Sequence, residues 1–117
     1  MSNEFKLIAT GYLYSSWAGK LREFAGEVYH RDEIREYGKY ILPERSYFIA
    51  KDKQGRTIKK LDCANHEGEI HNKVVWLQEP NARKAAGILI EYEETQIAKL
   101  RLQIENHEHL IETLKLI

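Results

Sequence analysis

Cys63, His66, Glu67, Glu69 and His71 crowd into the segment CANHEGEIH, residues 63–71. A thiol, two imidazoles and two carboxylates are the groups used by zinc sites and by nucleophilic chemistry. Their spacing serves neither well. A metalloprotease helix needs H-E-x-x-H, which sets two imidazoles one helical turn apart on one face. His66 and His71 are too far apart for that, and Gly68 would weaken any helix between them. Cys63, His66 and His71 could supply three zinc ligands, but no second paired cluster completes them; only His30, His107 and His109 remain. Cys63 with His66 has the types for a nucleophile and base, without a recognisable third group to orient the imidazole. The expectation is therefore a polar turn between two strands, bent at Asn65 and Gly68, with no catalytic residue, no metal and no cofactor. A small enzyme using Cys63, His66 and His71 stands as the last alternative.

A stronger signal lies just before this segment. Lys51, Lys53, Arg56, Lys59 and Lys60 are opposed locally only by Asp52, and Tyr47 and Phe48 precede them. Cations beside aromatic rings suit phosphates and the faces of bases. Arg83 and Lys84 add a basic pair in the first turn of the C-terminal helix. Cations are unfavourable beside that end of the helix dipole unless an anion lies between them. Tyr47, Lys51, Lys53, Arg56, Lys59, Lys60, Arg83 and Lys84 thus form the candidate set for a ligand or partner. Lysines that keep edge strands from aggregating would account for the same hairpin without any ligand. Gly11, Gly19 and Gly26 are too dispersed to make a phosphate-binding loop.

The elements that must position these groups fall into two parts. FKLIATGYLY (5–14) is a strand with apolar groups on both faces. SSWAGKLREFAG (15–26) carries Trp17, Leu21 and Phe24 at helical spacing, with a hairpin through Gly19 and Lys20 as the competing possibility. A short strand near Val28 and Tyr29 is followed by RDEIREYG (31–38), a helix of one or two turns ended at Gly38. RSYFIAKDKQGRTIKKLDC (45–63) reads as two strands joined at 52–55, with Gly55 supplying the positive φ. IHNKVVWL (70–77) is a further strand, one hairpin away, so the three form an antiparallel meander. From Pro80 to Ile117 helix formers dominate. They predict either one long helix, with Pro80 in its first turn, or a helical hairpin broken near Asn106.

Ile90, Ile97, Ile104 and Ile111 recur every seven residues, with Glu93, Leu100, His107 and Leu114 three positions after each. This is a coiled-coil seam, isoleucine at a and leucine or a polar residue at d. Leu102, Leu110, Leu116 and Ile117 widen the apolar surface beyond what the rest of the chain could cover. Self-association through Ile90, Ile97, Leu100, Ile104, His107, Ile111 and Leu114 follows. A parallel pair is the first expectation and an antiparallel four-helix arrangement the second. His107 at the seam predicts weaker association on acidification.

The chain as a whole excludes several classes. With 117 residues, 43% hydrophobic and 31% charged, it is long enough for one core and too apolar for a disordered chain. Its 18 basic and 18 acidic residues cancel, so nucleic acid or membrane is not attracted to the molecule as a whole. No run of about 18 apolar residues crosses a bilayer, no signal-peptide pattern opens the sequence, and the single cysteine fits a reducing compartment. The expectation is a cytoplasmic α+β protein, with residues 1–79 forming a β-rich head of antiparallel meander and short helices. Residues 80–117 form a helical oligomerisation segment. Its expected role is non-enzymatic: a homo-oligomeric binding or inhibitor protein that occludes a protein partner. Sequestration of a nucleotide or nucleic acid by the basic hairpin is the alternative. In plan and size the chain is similar to compact accessory proteins of bacteriophages and other mobile elements, including anti-defence inhibitors. No motif matches a specific family within that group, and no residue role is carried over from it.

Overall fold

The computed structural model describes residues 5–17, 19–37 and 40–117. A five-stranded antiparallel sheet is followed by one long helix, an α+β arrangement. In chain order the strands are β1 (Lys6–Trp17), β2 (Lys20–Arg31), β3 (Ile34–Tyr37), β4 (Tyr40–Leu42), β5 (Arg45–Lys51), β6 (Thr57–Asp62) and β7 (Val74–Leu77). The helix, α1, spans Ala82–Lys115. The main sheet has the order β6-β5-β2-β1-β7, and β3 pairs with β4 in a separate ribbon.

The two short helices expected before residue 45 are strands instead. Residues 15–26 form the β1–β2 hairpin, in which Phe24 lies opposite Leu13 and Leu21 opposite Ser16. Gly19 takes a φ of 75° in the turn, a conformation a helix interior cannot use. Pairing of the same hairpin with β5 on one side and β7 on the other outweighs the weak helical spacing of Trp17, Leu21 and Phe24. Residues 34–37 likewise pair with 40–42; Gly38, the expected end of a helix there, lies outside the described residues.

The meander also stops one strand early. β5 and β6 form the expected hairpin, with Gly55 at φ 80°. β7 pairs with β1 at the opposite edge, not with β6. Residues 63–73 carry the chain across one face of the sheet and are tied to it there. The Trp76 indole Nε1–H donates to the Ala64 carbonyl at 2.7 Å, and the Gly68 N–H donates to the Trp76 carbonyl.

A close approach occurs at the centre of the sheet. Gly11 of β1 and Gly26 of β2 face one another in the register. A Cβ at Gly11 would collide with the Leu77 carbonyl, and one at Gly26 with the Ile49 carbonyl and the Phe48 ring. Only glycine allows the neighbouring backbones so near. One core cluster consists of Leu13, Val28, Phe48, Ala50, Cys63, Val74 and Trp76, all buried. On the other side Tyr14, Val75 and Leu77 receive Ala85 and Leu89 of α1.

Tyr14 fixes the start of the helix. Its side chain is fully buried. The phenol donates to Glu23 Oε2 at 2.6 Å and accepts the Asn81 N–H at 2.8 Å. Asn81 is the N-cap, its side-chain oxygen accepting the Lys84 N–H. Pro80 therefore lies just before the cap, not inside the first turn. Burial, and then the hydrogen bond to Glu23, push the Tyr14 phenol up to about 12, so it remains a neutral donor.

Candidate functional site

The helix is continuous through Asn106, so no helical hairpin forms. At about 1.5 Å per residue its 34 residues run about 51 Å. Only its root touches the head: Ala85 and Leu89 are its buried residues, packed on β7 and β1. From Ile97 onward every residue is exposed. Ile97, Leu100, Ile104, Ile111 and Leu114 are each about half accessible, the value for a helix with nothing against it, and Ile117 is 97% exposed. The seven-residue seam thus lies along a free shaft, with Leu102, Leu110 and Leu116 also in the open.

The crowded segment 63–71 is built around a buried thiol. Cys63 is inside the core, and burial, followed by the nearby Asp62 carboxylate, pushes its thiol up to about 12. A buried thiol held neutral is a poor nucleophile at ordinary pH. Cys63 and His71 line one cleft with Ser46, Asn65 and Glu69, and His66 is not among its walls. Among the described residues no group of three or more His, Cys, Asp or Glu is placed to hold a metal ion.

The basic hairpin does not gather its charges at one place. Lys60 lies opposite Ile49 and Lys59 opposite Ala50, so the two lysines leave opposite faces of the sheet. Lys60 sits over the Tyr47 ring at 4.1 Å, and Lys59 lies 5.6 Å from the Phe24 ring. The Arg56 guanidinium pairs with Asp52 at 2.9 Å, which also caps the turn by accepting the Gln54 and Arg56 N–H groups. Those hydrogen bonds hold the Asp52 carboxyl below the usual carboxylate range. Lys51 lies 3.8 Å from Glu27 and donates to Thr57. Lys53 stands exposed at the turn, and Arg83 and Lys84 are exposed at the helix root.

Tyr47 belongs instead to an outward sheet face that adjacency in sequence could not reveal. Its ring stacks on Tyr29 at 5.5 Å and meets Phe5 at 4.5 Å, and Arg31 covers Phe5 at 4.8 Å. Cross-strand register brings these groups together, since Tyr29 lies opposite Tyr47. Nearby, His30 Nδ1 and the Ser46 hydroxyl are 2.6 Å apart, with His30 Nε2 at 3.0 Å from Asp32 and 3.3 Å from Glu44. Hydroxyl, imidazole and carboxylate thus stand in succession. Ser46, however, is only 6% exposed and Asp32 is almost fully solvated, so the row ties two strands together and leaves no open nucleophile.

A cleft that sequence reasoning missed lies near the β1–β2 turn. Ser15, Ser16, Trp17, Arg22, Lys59, Leu61, Asn72, Lys73 and Val74 enclose about 300 Å³. Of these, only Lys59 belonged to the expected set. Asn72 and Lys73 fall inside the strand expected over 70–77; the structure starts β7 at Val74 and makes the two residues a turn. No helix among the described residues is long and apolar enough to cross a membrane. Compared with known protein families, with curated proteins and with solved structures, the chain matches none.

Proposed function

We propose that this is a non-enzymatic, self-associating binding protein, whose helical shafts join copies and whose heads occlude a protein partner. The observation that carries this is the exposed seam of Ile97, Leu100, Ile104, Ile111 and Leu114 on a shaft with no cover of its own. A second copy is the occupant that matches it.

The seam favours an antiparallel pair. Aligned so that Ile97 meets Leu114 of the second copy, Leu100 meets Ile111 and Ile104 meets His107, each layer from Ile97 to Leu114 is filled, with Ile90 beyond the overlap. One flank then brings Glu94 to Lys115 and Arg101 to Glu108, opposite charges, while the other sets Gln103 beside Leu110. Charges at these flanks set the orientation of helix pairs. A parallel pair would put Glu93 against Glu93 and His107 against His107 within the seam, with Gln96 and Gln103 in place of flanking ion partners. Antiparallel order also leaves Glu93 outside the overlap and separates the two heads. The shaft's outer leucines, Leu102 and Leu116, leave room for pairs to combine into a four-helix assembly.

At each end the head presents Phe5, Tyr29, Tyr47 and Arg31. Tyrosine and arginine dominate the energetically important positions of protein interfaces. This outward face supports the occlusion of a protein partner.

Cysteine cross-linking tests the orientation. Ile97→Cys and Leu114→Cys proteins, mixed and mildly oxidised, are expected to join to each other, while neither joins to itself. Self-joined Ile97→Cys dimers would establish parallel order and overturn the antiparallel assignment. Native Cys63 does not interfere, because it is buried.

A further inference from the structure

We infer that the cleft near the β1–β2 turn binds a base-bearing phosphate of nucleoside diphosphate type. Three separate elements each bring a cation to it: Arg22 from β2, Lys59 from β6, and Lys73 from the turn before β7. None of its lining residues is a carboxylate. Among the described residues no ion pair within 4 Å engages Arg22, Lys59 or Lys73. In a chain of zero net charge, three unneutralised cations around one cavity focus a positive potential there.

The other walls suit the rest of such a ligand. Ser15 and Ser16 offer hydroxyl donors and Asn72 an amide. Trp17 is 67% exposed, with Arg22 5.6 Å from its ring, a partly built stacking platform for a planar base. About 300 Å³ is at the lower end of small-ligand sites and holds roughly one nucleotide. The Glu93 and Glu94 carboxylates line the adjoining cleft against the helix, which Lys73 also borders.

The backbone at Lys73 supplies an independent argument. His71 and Val74 exchange both backbone hydrogen bonds at 3.1 Å, closing a two-residue turn. Asn72 and Lys73 take φ values of 56° and 62°. Such a turn strongly favours Asn-Gly, because the second position is left-handed. Lysine there is strained, yet it places an ammonium at the cleft. Strain held in this way clusters at ligand sites. Neither observation depends on the pairing of the shafts.

Calorimetric titration of the full chain with ADP, pyrophosphate and adenosine tests this. ADP is expected to bind, pyrophosphate at least fivefold more weakly, and adenosine not measurably. ADP affinity should fall as salt rises from about 50 to about 200 mM, because screening weakens a charge-driven contact. Arg22→Ala and Lys73→Gly should each weaken ADP by about tenfold, the loss of one charge-assisted contact. Lys73→Gly separates function from folding, since it should leave Tm unchanged or raised while affinity falls. Absence of ADP binding at 1 mM would overturn the proposal. So would pyrophosphate binding as tightly as ADP, or a Lys73→Gly protein that retains full affinity.

Discussion

The root and the shaft of α1 share one helix, but differ in what covers them. At the root, Ala85 and Leu89 are buried against Tyr14, Val75 and Leu77, and the Tyr14 phenol holds the N-cap in place. Along the shaft, Ile97, Ile104 and Ile111 repeat more regularly than anything at the root and stay about half accessible, although Ile97 shares a cleft with Ser16, Leu21 and Lys73 of the head. Regular spacing therefore does not measure burial within a subunit. Where the repeat is irregular, the helix answers the uneven surface of a sheet. Where it is strict, the surface we propose to match it is another helix with the same repeat.

The sharpest way to break this contrast is at the shaft. Ile97→Asp with Ile111→Asp should reduce the assembly to monomer across the micromolar range, because the two charges would face Leu114 and Leu100 of the second copy. The same pair should leave the melting of the head nearly unchanged. At the root, Leu89→Ala should destabilise the fold by about 2–5 kcal/mol, the usual cost of emptying a buried leucine site. Denaturant unfolding would show it. Tyr14→Phe strips the Asn81 N–H and the Glu23 carboxylate of a partner at once, which predicts a loss of about 1–3 kcal/mol in the same measurement.

Alkaline pH sharpens the root further. The Tyr14 phenol and the Cys63 thiol are both raised in the folded state. The unfolded chain therefore releases these protons first, and the stability they contribute is fully present only below about pH 8, where the unfolded thiol is still protonated. It is lost as pH rises toward 12. Unfolding free energy should hold level from about pH 7 to 8, begin to fall as the unfolded thiol ionises, and fall further by about pH 10.5 as the unfolded phenol follows. The smallest effect is on the flanks of the shaft. Lys115→Glu should weaken association by about 0.5 kcal/mol per pair, and adding Glu94→Lys should restore it.

How much of this the residues disclosed differs between the same two regions. The shaft was legible because a helix carries its own pattern: Ile90 to Ile111 name the seam without knowledge of any neighbour. The β5–β6 hairpin was legible for a similar reason, since Gly55 and the alternation around it are local. The β1–β2 hairpin was not, because its strands are stabilised by pairing with residues 45–50 and 74–77. Trp17, Leu21 and Phe24 recur at a spacing that fits a helix equally well. The crossing to β7 was hidden too, because it rests on pairing with β1 and on the Ala64 and Gly68 hydrogen bonds to Trp76, all between residues distant in sequence. The cationic site followed the same rule. Lys59 and Lys60 are neighbours in sequence but part to opposite faces, while Arg22, Lys59 and Lys73 meet only after folding. Alternation within a strand separates adjacent charges as reliably as register unites distant ones.

The central claim is that the shaft buries its seam against a second copy. Sedimentation equilibrium of the unmodified chain at loading concentrations from about 5 to 100 μM tests it most directly. The account predicts a mass at least twice the 13.8 kDa of one chain, lowered to a single chain by Ile97→Asp with Ile111→Asp. A mass of one chain at 100 μM would contradict it.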